Sequence, residues 1–202
     1  MLGPCYAFKT LLSPTVQLHL WRVYNLPVLC SGLAALPIRP TMINQLEIFH
    51  NRIMRSLLKL SDSSPVPALH FLLGELPIQG RLHLQLLSLF YNIWSNPNTT
   101  IYKIVLYLLK MASPKSHTWT AHLRHTCLLY RLPDPLALLQ GGQVWTKSSW
   151  KILTKTRVTA HYENMLRVKS LKNSKMKYLN VQVQGLSGVP HPALRTLTMF
   201  KK

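Results

Sequence analysis

Acidic side chains are nearly missing from this chain: five Asp and Glu stand against 24 Lys and Arg, for a formal net charge of +19. The five, Glu47, Asp62, Glu75, Asp134 and Glu163, are scattered, and no two share a helical turn. Phosphoryl transfer on the two-metal plan needs clustered carboxylates to hold its divalent ions, so the chain is read as a non-enzyme. There is no Gly-rich phosphate loop, no Gly-x-Ser-x-Gly elbow and no His-Glu-x-x-His helix. No cofactor is therefore expected.

Cysteine is scarce too. Cys5, Cys30 and Cys127 lie far apart and form no C-x-x-C pair, which excludes a zinc ribbon or a disulfide framework. Three thiols fit a reducing compartment, where they behave as small buried hydrophobes. Long apolar runs are missing as well. Val23 to Ile38 carries no charge but is only about 16 residues long and holds Asn25, Pro27 and Pro37, whereas a span needs roughly 20 apolar residues. Pro14, Gln17, His19 and Arg22 interrupt any secretory signal. The chain is expected to be nuclear or cytoplasmic, not secreted, with no stable membrane span. On that reading Asn98-Thr99-Thr100 is a turn and helix start, not a glycan site.

What remains is basic and apolar together. Hydrophobic residues make up 48% of the 202, too many for a disordered chain and enough for one core. The positive excess favours a polyanion, either nucleic acid or an anionic membrane surface.

Apolar spacing and Pro/Gly punctuation give helices throughout, and no hairpin signal appears. Pro14 to Leu36 reads as one or two apolar helices broken near Pro27. From Pro40, the residues Ile43, Leu46, Phe49 (or His50), Ile53, Leu57 and Leu60 recur at steps of three and four, one face of a helix. Prolines 65 and 67 stop it and open the next. That short helix closes at Gly74 and Pro77. Leu82, Leu86, Leu89, Phe90 and Ile93 define another. Helices follow at about Thr100–Met111 and Ser116–Arg131, a short piece at Leu136–Gln140, and a long one from about Trp145 to Val168. Asp134, between two prolines, reads as turn chemistry. Glu47 and Glu75 read as helix caps or partners of nearby arginines. The expected fold is all-α: an irregular multi-helix bundle with 1–39 as apolar lead-in helices, 40–170 as a helical domain and 171–202 as a loosely ordered basic tail.

Two basic stripes stand out. Arg52, Arg55 and Lys59 fall three and four apart on the helix after Pro40. On the last helix Lys147, Lys151 and Lys155 fall four apart, and Arg157, Arg167 and Lys169 extend the run. A single stripe is usually a solvated helix face. Two stripes with almost no acids between them make the backbone of RNA or DNA the favoured partner, through sequence-tolerant and salt-sensitive contacts. His117, His122, His125 and Cys127 crowd one helix, but without a carboxylate or a second ligand pair they read as structural rather than as a zinc site.

The order of elements carries a resemblance. Leu46 and Glu47, then Met54 and Arg55, a small-residue turn, and Leu73, Gly74, Pro77 and Ile78 resemble the region just after the polymerase core in reverse transcriptases of LINE-type (non-LTR) retrotransposons. Tyr24 to Pro37, His117 to Pro133, Trp150 to Leu179 and His191-Pro192 are similar to segments of that family in the same order, although Cys30 or Ser31 stands where the family commonly has Tyr. The Tyr-x-Asp-Asp motif that carries the family's metal carboxylates is missing, as is its downstream Cys/His knuckle. The resemblance implies a non-catalytic part that packs beside a polymerase and helps hold template RNA, primer or target DNA. It also implies that Met1 to about Ser13 is an accidental start and the chain a fragment of a decayed element.

Two other readings stay open. One is a helical interaction or structural protein, pairing with a separate polymerase domain or with itself through Leu26, Val28, Leu29 and Leu33. The other is a peripheral membrane protein drawn to anionic lipid by the same cations.

Overall fold

A computed structural model describes residues 12–111, 117–141, 145–176, 185–186 and 191. Every regular element among them is helical, and no strand occurs among the described residues. The α-helices are α1 (Pro14–Leu20), α2 (Leu26–Cys30), α3 (Pro40–Leu58), α4 (Val66–Leu73), α5 (Ile78–Trp94), α6 (Thr100–Met111), α7 (Trp119–Leu129), α8 (Pro135–Leu139) and α9 (Lys147–Leu171). The all-α expectation holds. α9 begins later than the spacing implies and continues past Val168.

Pro27 does not break the first helical stretch. Between α1 and α2 the chain widens into a π-helical turn, Trp21–Asn25, whose five-residue step is closed by the Leu26 N–H on the Trp21 carbonyl. Proline lacks an N–H and crowds the carbonyl four residues back. A wider turn just before Pro27 relieves that crowding, so the helix continues through it.

The chain falls into two compact units that interleave in sequence. The first takes the described residues of 1–31, 41–78 and 162–202; the second takes 32–40 and 79–161. The N-terminal apolar segment thus groups with α3, α4 and the C-terminal part of α9.

Within the first unit, α3 is turned so that His50, the alternative to Phe49 in its apolar spacing, is the buried one of the two. His50, Asn51 and Met54 are its buried residues. Ile43, Leu46, Ile53 and Leu57 are half-buried, while Phe49 and Leu60 are exposed. The reason lies in what meets the helix. The His50 ring stacks on Trp21 at 5.9 Å and lies 6.1 Å from His70, so an aromatic contact, which apolar counting does not see, sets the rotation. α4 ends in a Schellman motif: the Gly74 N–H reaches the Phe71 carbonyl and the Glu75 N–H reaches the His70 carbonyl, with Gly74 at φ 64°. This turn carries Glu75 inward, where it is 1% exposed and pairs with Arg22. Leu26 is buried at 2%, which corrects its place among the exposed apolar residues; Val28 is 76% exposed, and Leu29 and Leu33 are half-buried.

The expected basic tail lies mostly outside the described residues. Of what is described, Met176 and Leu186 are buried, Glu163 accepts the Leu186 N–H at 2.6 Å, and the His191 N–H reaches the Leu72 carbonyl at 2.8 Å.

In the second unit, α5 supplies Leu82, Leu86, Leu87 and Phe90 to the core. Thr99 accepts the Tyr102 N–H at the start of α6, and Asp134 accepts the Ala137 N–H at the start of α8. Both are N-caps, as expected of a helix start at Asn98-Thr99-Thr100 and of turn chemistry at Asp134.

Candidate nucleic-acid interface

Trp150 builds the site. It lies on α9 between Lys147 and Lys151 and is 2% exposed. Its indole N–H donates to the Leu87 carbonyl of α5 at 3.1 Å. Phe90 lies 6.3 Å and Trp94 5.8 Å from its ring, and Tyr91 meets Trp94 edge-on at 5.6 Å. A buried tryptophan removes on the order of 200 Å² from water, about 5 kcal/mol at 25 cal/mol per Å² as an upper figure. Like charges four residues apart cost about 0.2–0.5 kcal/mol per pair. Burial of Trp150 therefore outweighs the repulsion among the lysines beside it and holds them in a row.

That row opens on a groove between α5 and α9. Leu84, Ser88 and Tyr91 line one side, and Lys147, Trp150, Lys151, Thr154 and Lys155 the other, around a cavity of about 210 Å³. Among the described residues no carboxylate lines it. All three lysines are exposed and Tyr91 is half-buried. The Tyr91 hydroxyl donates to the Trp145 carbonyl at 3.2 Å, and the Thr154 hydroxyl is turned back onto the Trp150 carbonyl at 2.8 Å. The lysines thus supply the groove's cations, and Leu84 and Tyr91 most of its apolar surface.

The other expected contacts are placed differently. Arg157 lies with Ile152, Thr156 and Ala160 around a separate, shallow hollow on α9. Arg167 and Lys169 are exposed on the part of α9 that belongs to the first unit. On α3, Arg52 is exposed. Arg55 is half-buried, and its guanidinium donates twice to the Ser64 carbonyl, at 3.3 and 3.0 Å, tying down the turn after the helix. Lys59 sits at φ 53° as the left-handed residue of the α3 C-terminal Schellman motif, with its N–H on the Ser56 carbonyl and the next on Arg55. Of the two stripes, Lys147, Lys151 and Lys155 come together on one concave surface. Tyr91, Leu84 and Trp150 were not singled out from the sequence as site residues; Trp150 is buried and anchors the lysine row.

His83, His122, His125 and His161 form a separate cluster in the second unit. His83 is 2% exposed, with its Nδ1 and the Tyr130 hydroxyl sharing a hydrogen bond of 2.6 Å. His122 lies 5.4 Å from His83, and His161 lies edge-on 5.3 Å from Tyr130. Burial, then His122, His125 and His161, push the His83 pKa down to about 3. Burial and His125 lower that of His122. Cys127 is buried, and burial followed by the Asp134 charge pushes its thiol up to about 12. Among the described residues no group of three His, Cys, Asp or Glu is arranged to hold a metal ion, and no described helix is long and apolar enough to cross a membrane. The acids are dispersed: Glu75 on Arg22, Asp134 on α8 and 3.8 Å from Arg124, and Glu163 on Leu186.

Comparison with protein-family models, with curated proteins and with solved structures finds no match for this chain.

Proposed function

We propose that this chain is a non-catalytic, nucleic-acid-binding helical module that grips the backbone of RNA or DNA with Lys147, Lys151 and Lys155. The observation that carries this reading is the placement of these three cations on one groove lined by no carboxylate among the described residues, in a chain of net charge +19. Cations along a groove neutralise successive phosphates and release counterions, which gives affinity without sequence preference. Arg52, Lys59, Arg157, Arg167 and Lys169 add to the positive charge of the chain, which attracts a polyanion. The order of motifs from Leu46 to Ile78 supports an origin in the post-palm region of a LINE-type reverse transcriptase. Nuclear or cytoplasmic residence goes with such a partner.

The test is fluorescence anisotropy with a labelled mixed-sequence RNA hairpin and a DNA duplex across a salt series. Binding should weaken steeply with salt. Changing Lys147, Lys151 and Lys155 together to Ala should lower the slope of log K against log salt by about 2 to 3, at 0.7–0.9 per phosphate contact. A folded, monodisperse protein that binds neither probe at low salt sinks the proposal.

A second reading has one observation in its favour. Val23, Tyr24 and Val28 of the lead-in helices are 47%, 63% and 76% exposed, an apolar strip suited to a separate polymerase domain or to self-association. Sedimentation velocity over a hundredfold concentration range tests the second. Growth in mass that Val28→Lys abolishes supports it, and a constant monomer mass removes it.

A further inference from the structure

The groove that carries Lys147, Lys151 and Lys155 differs from a plain phosphate track in having an apolar lining. Leu84 and the half-buried ring of Tyr91 lie across from the lysines, with Trp150 on their own side. A duplex keeps its base faces stacked inside and offers this lining nothing but sugar and phosphate. An unpaired nucleotide offers a flat apolar face together with its phosphate.

The size of the cavity agrees with one unpaired nucleotide at a time. The cavity of about 210 Å³ falls below the roughly 300–1,000 Å³ of sites that enclose a drug-sized ligand, so it admits a ring rather than a whole cofactor. Along α9 a four-residue step rises about 6 Å. The roughly 3.4 Å per phosphate of a stacked strand is a rise along the duplex axis, and neighbouring phosphates on the winding backbone lie farther apart than that. The lysine step therefore suits neighbouring phosphates of stacked and unstacked strands alike, and it is the apolar lining that chooses between the two.

We propose that this groove binds single-stranded nucleic acid, with an unpaired base lodged against Tyr91 and Leu84 and the flanking phosphates on Lys147, Lys151 and Lys155. The inference rests on the nucleic-acid reading above and adds what that reading leaves open, the strandedness of the ligand. Base contact with an aromatic surface is sequence-tolerant, because every base has a π face, so no strong sequence preference accompanies it.

The experiment uses the full chain and three labelled probes of equal length at one salt concentration: a mixed-sequence single strand, its duplex, and a single strand of abasic sugar-phosphate. The expected result is single-strand binding about ten-fold tighter than either of the others. All three probes should lose affinity together in the Lys147→Ala, Lys151→Ala, Lys155→Ala variant. Equal binding of the abasic and normal strands, or tighter binding of the duplex, overturns the single-strand inference and leaves the nucleic-acid reading standing. Failure of all three probes at low salt overturns both. Tyr91→Ala should lower single-strand affinity about five-fold without changing the salt slope. The abasic comparison keeps the inference falsifiable should that variant fold poorly.

Discussion

Arg22 and Glu75 form an ion pair across 53 residues of sequence, and the Glu75 side chain is wholly buried while that of Arg22 is 23% exposed. Arg22 also donates through Nη2 to the Leu73 carbonyl at 2.6 Å. One side chain therefore holds both the last residue of α4 and the acid carried inward by the Gly74 turn. A buried carboxylate stripped of its cation loses the main compensation for its desolvation. Arg22→Met should lower unfolding free energy by about 3 kcal/mol, read as a lower urea midpoint at unchanged m-value. Adding Glu75→Gln should restore part of the loss, because the orphaned charge is then gone. A loss below about 1 kcal/mol, the range of exposed pairs, would show that water reaches Glu75 and that the pair is not structural.

His83 gives the fold a pH dependence whose sign can be worked out. Its pKa is held down at about 3, against 6.5 for an ordinary histidine. Between those values the unfolded chain takes up a proton that the folded chain refuses, so acid favours unfolding. Stability is fully present above about pH 6.5 and is lost as pH falls toward 3, at about 1.4 kcal/mol per pH unit for one such group. His122, lowered by burial and His125, acts in the same direction. Melting temperature followed from pH 7.5 to 4.5 should drop steeply, and His83→Gln should flatten the curve. An unchanged slope in that variant would place the acid sensitivity elsewhere.

The class of fold was legible in residue spacing, and the reason is physical. Pro65 and Pro67, Gly74 and Pro77, and the Asn-Thr and Asp-Pro helix starts act within a few residues of themselves. They mark ends of α3, α4, α6 and α8 whatever the rest of the chain does. The spacing of α3 left Phe49 and His50 as alternatives, because the choice of His50 depends on Trp21 and His70 meeting it from distant segments. The lysine spacing on α9 was visible for the same local reason that helices are. That α5 would bring Leu84 and Tyr91 to face it depends on Trp150 packing against Phe90 and Trp94, a contact about 60 residues long in sequence that no periodicity announces.

Cys127 should be chemically silent in the folded protein. Its thiol is 2% exposed and, with burial as the main cause, is pushed up to about 12. The reactive species is the thiolate, and at pH 8 almost none forms at this site. In a background carrying Cys5→Ser and Cys30→Ala, labelling by an aromatic disulfide reagent should follow the rate of global unfolding and jump on adding denaturant. Labelling within seconds in native buffer would mean that α7 opens locally.

Lys59 separates stability from binding in a single residue. It occupies the left-handed position that ends α3, at φ 53°, where a residue with a β-carbon carries about 1 kcal/mol of strain and glycine carries none. The same geometry recurs at Arg131, at the end of α7, whose N–H reaches the Leu128 carbonyl while the next reaches Cys127. Lys59→Gly should raise unfolding free energy by about 0.5–1 kcal/mol, and Arg131→Gly should do the same. If Lys59 also contributes to the field that draws in a polyanion, the glycine variant should bind the RNA hairpin more weakly at low salt, despite being more stable. A variant that gains stability with unchanged binding would assign Lys59 to the helix end alone and concentrate the interface on α9. Loss of both stability and binding would contradict the strain argument, since a glycine at a left-handed cap has no reason to weaken the helix it ends.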